Sequence, residues 1–371
     1  MFKRFFKSHQ PHLSEERSSA LDNRQDSFSI AQTRGDTPPF DTYHPVLKRL
    51  IAYVSERVIG REKAVETILA AILAGGHVLL EDVPGVGKTS LVRTLAKALG
   101  LHFQRIQFTP DLLPGDVLGV NMYDQKKGEF VFRPGPIFAN VVLADEINRA
   151  SPKTQSALLE AMEEGRVTVD GQTYGLPDPF LVMATQNPVD YEGTYPLPEA
   201  QLDRFMMKIR LGYPDFQAED AMLLRHAEQR QHRHQKAHDT EAASILGDEE
   251  RLHPDQLRAL QQAVTKIEIE QSVRHYLLEL IQATRREQRL ILGASPRASL
   301  SLYRASQALA FIRGRTYVVP DDIRDLLPNV LAHRLIVSDA SLYAGETAEH
   351  ILGTLLDAIP VPLYTKHSLE I

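Results

Sequence analysis

The sequence predicts an α/β fold: a parallel sheet sandwiched by helices, followed by a small all-helical domain. Three observations carry this. Five short apolar runs alternate with helical patterns between residues 77 and 211. Parallel strands joined by helices are covered on both faces, which such runs suit. Past Gly212-Tyr213-Pro214 only helical periodicity remains. At 371 residues, 43% hydrophobic and 24% charged, the chain has the length and composition of two or three compact globular units.

The elements follow in order. Residues 1–40 are polar and mixed in charge beyond a basic-aromatic tip, Met1 to Lys7, and read as a disordered arm. A solvated tail is the simpler reading of that tip; weak peripheral membrane contact is the other. Val46, Leu47, Leu50, Ile51 and Val54 mark one helix, and Ala64, Ile68, Leu69 and Ile72 a second that ends at Gly75-Gly76. The strand runs are His77 to Glu81, His102 to Phe108, Val141 to Glu146, Leu181 to Gln186 and Met207 to Leu211, with helices such as Ser90 to Leu99 and Pro152 to Glu164 between them. Together, 41–212 form the expected α/β domain. A polar connecting segment spans 213–250, a helical domain 251–345, and a C-terminal helix and tail 346–371. Pro254, Pro296 and Pro320 stand where helices begin. His226, His232, His234 and His238 lack a carboxylate or thiolate framework, so an exposed helix or loop is expected there rather than a metal site.

Composition excludes several classes. The net charge of −6 is not that of a non-specific nucleic-acid binder, and the absence of cysteine removes disulfides, thiolate zinc sites and cysteine nucleophiles. The longest apolar stretch, Ile68 to Leu80, is broken by Gly75, Gly76 and His77, so no membrane span is expected. No apolar signal stretch follows the basic tip, and a cytoplasmic location is expected.

The chemistry centres on Val83, Pro84, Gly85, Val86, Gly87, Lys88, Thr89 and Ser90, after one strand run and opening a helix. Gly85 and Gly87 let backbone N–H groups turn around phosphate oxygens, Lys88 supplies a cation, and Thr89 offers a hydroxyl to magnesium. This is a P-loop in which Asp82 replaces the pattern's first glycine. Asp145 and Glu146 end an apolar strand. That position suits a magnesium-shell carboxylate and a water-polarising one, although two acidic residues alone also mark helix caps. Asn187 ends another core run, placed either to hold the attacking water or to form a polar turn before Pro188. Arg204, on a short helix, suits a phosphate across a subunit boundary as well as a salt bridge to Asp203. Arg297, in the first turn of a helix, is placed to point back at nucleotide held between the two domains.

These segments resemble the AAA+ ATPases, and specifically the MoxR family of the helix-2-insert clade. The resemblance spans about residues 43 to 340 through Val58-Ile59-Gly60, the run from Glu81 to Leu99, Phe108 to Gly119, Gly135 to Gly171, Met183 to Pro188 and Glu192 to Phe205. It implies a P-loop AAA+ module with a helical lid. It implies Lys88 and Thr89 as the Walker A pair, Asp145 and Glu146 as Walker B, and Asn187 as sensor 1. It further implies Arg204 as an arginine finger acting in trans, Arg297 as sensor 2, and Ile59 and Gly60 beside the adenine. Arg61 stands where relatives often have glutamine. Two insertions are implied, near Asp111 to Arg133 and from Val167 to Leu176, the second turning at Asp170-Gly171.

The resulting expectation is an ATPase using ATP and Mg2+, assembled as a homo-oligomeric, hexameric ring. It remodels or matures protein clients, among them von Willebrand factor A-domain partners, with no nucleic acid. A DNA-directed motor and a chelatase-type metal-insertion subunit are the alternatives; a non-hydrolysing adaptor conflicts with the two carboxylates and the asparagine.

Overall fold

The computed structural model describes residues 40–81, 85–186, 194–235 and 251–362. The arm, Asp82, Val83, Pro84, Asn187 and His238 lie outside the described residues, as do the side chains of His226, His232 and His234. The first half holds α1 (Phe40–Arg57), α2 (Glu62–Leu73), β1 (Val78–Glu81), α3 (Lys88–Ala98), β2 (Phe103–Gln107), α4 (Pro114–Leu118), β3 (Gly119–Asp124), β4 (Glu129–Pro134), β5 (Val141–Asp145) and α5 (Pro152–Glu164). It continues with β6 (Arg166–Val169), β7 (Gln172–Gly175), β8 (Leu181–Gln186), α6 (Glu199–Leu202), β9 (Met207–Ile209) and α7 (Phe216–Gln235). The five expected runs form one five-stranded sheet, ordered β2-β5-β8-β1-β9, and every pairing is parallel.

Alternate residues along these strands feed different cores, because successive side chains leave opposite faces. Val78, Leu80, Val141, Leu143, Leu181 and Met183 join α1, α2, α3 and the helical domain. Leu79, Val142, Ala144, Val182 and Ala184 join α5 and the loops around Ile137 and Phe205. Burial on both faces is why these strands are apolar at every position.

The two insertions are hairpins, β3–β4 and β6–β7. The second turns through Asp170 and Gly171 at φ 49° and 79°, the doubly left-handed pair of a type I′ turn. Phe132 stacks on Tyr174 with ring centroids 4.0 Å apart, and Asn121 donates to Asp170 at 2.8 Å, so the hairpins dock on each other.

The second domain comprises α8 (Pro254–Val264), α9 (Gln271–Arg286), β10 (Leu290–Leu292), α10 (Pro296–Ile312), α11 (Pro320–Leu331), β11 (Ile336–Val337), α12 (Asp339–Tyr343) and α13 (Ala348–Ala358). Pro254, Pro296 and Pro320 each occupy the first turn of their helix, where a missing N–H leaves no intrahelical bond unmade. A short antiparallel ribbon, β10–β11, accompanies the helices. α13 packs on α9 and α11 within this domain, and α10 packs against α1 and α2. Among the described residues no helix is long and apolar enough to cross a membrane.

Candidate functional site

The carboxyl edge of the sheet gathers the phosphate-loop side of the site. Gly85 and Gly87 both sit at φ 89°, a conformation that costs an L side chain roughly 1–2 kcal/mol. Gly87 precedes α3, and no side chain caps that helix. The first-turn N–H groups at Lys88, Thr89 and Ser90 are thus presented to an anion at the helix terminus. β8 lies between β1 and β5, so Gln186, which Asn187 follows, ends between the loop-bearing strand and the strand that ends in Asp145.

Asp145 shares a sheet face with Val141 and Leu143, the face that α3 covers. Its Oδ1 accepts from Thr185 Oγ1 at 2.5 Å, and its Oδ2 accepts from Arg105 Nε at 3.0 Å and Nη2 at 2.6 Å. The same threonine oxygen accepts from the Glu146 backbone N–H at 2.8 Å. Glu146 itself is left-handed, φ 56°, which turns its side chain out of the strand. Gln107 Nε2 at 3.0 Å and Arg149 Nη1 at 2.9 Å both donate to Glu146 Oε2. Arg105, Gln107, Arg149 and Thr185 were missed from sequence. Arg105 and Gln107 were findable as residues two apart on a strand paired with Asp145 in register, and Thr185 as the hydroxyl inside an apolar run.

Ile59 is half-buried and Gly60 exposed, with φ 73° and a Cβ position only 2.7 Å from Ala218 Cβ. Gly60, Lys63, Ile209, Leu211 and Asn329 help line a cleft of about 350 Å³ at the end of β9, next to β1. Arg61, where relatives often have glutamine, is buried and donates to the backbone carbonyls of Leu211 and Gly212. Beside the cleft, burial alone would raise the Glu81 carboxyl. Lys208 at 3.2 Å and Arg210 at 2.7 Å outweigh it and hold the carboxyl below the ordinary range.

The two arginines are elsewhere. Arg204 follows α6, and the salt bridge to Asp203 does not form; Asp203 pairs instead with the buried Arg334, Nε to Oδ1 2.9 Å. Arg204 Nε donates to Glu163 Oε2 at 2.9 Å, and Arg297 Nη2 donates to Glu163 Oε1 at 3.1 Å. The hydrogen bond from Arg204, with a further contribution from Arg297, keeps the Glu163 carboxyl below its usual range. Met162, one residue before Glu163, receives at its carbonyl the Nε2 of His77 at 3.0 Å, and His77 precedes β1. This trio therefore sits at the amino edge of the sheet. Arg297 does not point back at nucleotide between the domains of its own chain: the four residues of β1 alone put roughly 13 Å between the two edges. The reason is the docking of the helical domain, whose Ser295 caps α10 while reaching Asp203 at 3.4 Å.

Comparison with known proteins agrees with this architecture. A family profile of the ATPases associated with various cellular activities (AAA) matches residues 77–207, and an AAA lid domain profile matches 282–354. The chain is 41% identical over 325 residues to the chaperone MoxR1 of Mycobacterium tuberculosis, covering 85% of this chain and 82% of that protein. The chain belongs to the MoxR family of AAA+ ATPases. The MoxR protein of Methylorubrum extorquens is 31% identical, covering 83% of this chain and 93% of the relative. The YeaC protein of Bacillus subtilis is 50% identical over 321 residues, 86% of this chain and 96% of YeaC. A crystal structure from Cytophaga hutchinsonii superposes with a TM-score of 0.76 at 39% identity, covering 87% of this chain and 97% of that one. This MoxR-family protein is an ATPase and binds nucleotide.

Proposed function

We propose that this ATPase works as a ring, hexameric as its relatives' resemblance implies, that hydrolyses ATP at the boundary between protomers and uses the cycle to remodel or mature protein partners. One observation carries the reading: phosphate-loop residues and carboxylates lie at one edge of the sheet, and both candidate arginines lie at the other. A single protomer cannot bring them to one phosphate. A second copy can, supplying Arg204 and Arg297 in trans, where guanidinium groups stabilise charge on the transferring phosphoryl group.

The proposed roles are these. Gly85 to Ser90 cradle the phosphates, with Lys88 on the outer ones, and Gly60 with Ile59 borders the base. Glu146 accepts a proton from, or orients, the attacking water, assisted by Asn187. The donors also fit a hard divalent cation: Thr89 and Asp145 offer oxygen, and Asp145 already faces a positive charge in Arg105. Magnesium held there supplies charge neutralisation at the outer phosphates. The chaperone named among the relatives supports protein clients over a DNA-directed motor or a chelatase-type subunit; von Willebrand factor A-domain partners are proposed from the sequence resemblance alone.

Lys88→Ala is expected to abolish binding of a fluorescent ATP analogue, and turnover per protomer is expected to fall on dilution below ring assembly. Undiminished turnover by the variant, or full activity of a dilute protomer, refutes the reading. Clients are expected to co-purify with Glu146→Gln in ATP and to leave in ADP.

A further inference from the structure

Glu163 is a residue the reaction scheme above does not use, yet it is where the two domains' arginines meet. Arg204 comes from the α/β domain and Arg297 from the helical domain, and each takes a different oxygen of one carboxylate. The atoms used matter. Arg204 is gripped through Nε, which sets the plane of the guanidinium and leaves its two terminal nitrogens outside this bond. Arg297 is gripped through one terminal nitrogen only. Without the carboxylate, two like charges would face each other, and two long, rotamer-rich side chains would lose their common reference.

Glu163 is itself well referenced. The carbonyl before it, on Met162, accepts from His77 Nε2, while His77 Nδ1 accepts from the Val182 N–H at 3.0 Å. The backbone N–H of Met206, two residues after Arg204, donates to the His77 carbonyl at 2.8 Å. One histidine thus ties down the end of α5, the starts of β1 and β8, and the chain that carries Arg204.

We propose that Glu163 is a positioning residue that holds Arg204 and Arg297 as one preassembled receptor for the triphosphate of a neighbouring copy. This rests on the trans reading above, and a subunit-mixing experiment separates the two. A Lys88→Ala copy lacks its own site but donates both arginines; an Arg204→Ala copy keeps its site but donates only Arg297. Mixed, they are expected to regain ATP turnover that neither shows alone. Placing Glu163→Gln on the Lys88→Ala copy is expected to lower that regained kcat about tenfold, with KM for ATP within twofold. Placing it on the Arg204→Ala copy is expected to change turnover less than twofold, which also shows that the substitution leaves the fold intact.

Equal loss from either copy makes Glu163 merely structural and overturns the proposal. No loss from either copy overturns it too. If the unmodified mixture regains nothing, the trans reading fails first and takes the proposal with it.

Discussion

Arg334→Met tests how the arginine edge is held. The Arg334 side chain is 2% exposed, its Nε lies 2.9 Å from Asp203 Oδ1, and its Nη2 donates to the Phe205 carbonyl at 2.7 Å and the Asp203 carbonyl at 3.2 Å. Methionine preserves much of the packed stem and removes the charge. Breaking one side of a buried pair costs about 3–5 kcal/mol. Asp203 keeps 23% exposure, so water recovers part of its solvation and the lower end, about 3 kcal/mol, applies. With an unfolding entropy of about 2.1 cal/mol/K per residue over 371 residues, each kcal/mol moves the midpoint by roughly 1.3 °C, and the thermal midpoint is expected to fall by about 4 °C. Burial pulls Arg334 down to about 10, a sign that its own charge is costly there, so neutralising the partner should restore much of the loss. Arg334→Met with Asp203→Asn is expected to recover at least half of it. Circular dichroism melts of the three proteins, with ATP turnover measured well below every midpoint, provide the assay. A single variant melting within 2 °C of the parent, or a double variant no better than the single, refutes the reasoning.

Glu146→Gln is expected to keep nucleotide binding and lose at least about a hundredfold in phosphate release, the lower range of general-base contributions; parental turnover would remove Glu146 from the chemistry. Arg105 donates twice to the carboxylate proposed for magnesium, so Arg105→Gln is expected to lower the magnesium concentration for half-maximal ATP-analogue binding, and an unchanged or higher midpoint contradicts that competition. Burial brings His77 down to about 4 and His333 to about 3, so both remain neutral in the folded chain while unfolded imidazoles protonate near pH 6.5. Their contribution is whole above pH 6.5 and is lost as the pH falls toward those values, about 2 kcal/mol each by pH 5. Urea midpoints at pH 7 and pH 5 should therefore differ less in a His77→Asn, His333→Asn double variant than in the parent; an equal difference counts against the histidines.

What was legible in the sequence was what burial and local chemistry dictate. Val141 to Ala144 and Leu181 to Ala184 are buried at every position, so the central strands read as apolar runs and their polar ends advertise a carboxyl edge. Helices announced themselves through Pro152, Pro254, Pro296 and Pro320 at their starts. The ribbon β10–β11 escaped notice because three residues paired with two give no period to detect. Arg105, Gln107 and Thr185, which bond Asp145 and Glu146, come from β2 and β8, across strand neighbours that the sheet order sets. Arg297 was misdirected for a related reason. Its cap at Ser295 was readable, but the direction in which α10 faces depends on Arg334 and His333 reaching back about 130 residues to Asp203 and Phe205.

Those long-range bonds also say where the helical domain can give way. Near the phosphate loop it touches the α/β domain through Asn329, which donates to the Lys208 carbonyl at 3.1 Å, and through Arg210, which pairs with Glu81 at the end of β1 and with Glu349 of α13 at 3.2 Å. The arginine is 59% and the glutamate 40% exposed, and a pair so wetted is worth about 0–1 kcal/mol. At the opposite edge Arg334 and His333 hold Asp203 and Phe205 from within the core, a connection several times stronger by the estimate for Arg334. We expect nucleotide arriving at the loop to loosen the wetted ion pair before the buried contact at the arginine edge, which would then act as pivot. Arg204 and Arg297 lie beside that pivot, so under the proposed trans arrangement a change at one protomer's own site would reach the arginines it offers to the next with little loss of their geometry. The proposed ring would need the stiff contact at the arginine edge rather than at the loop.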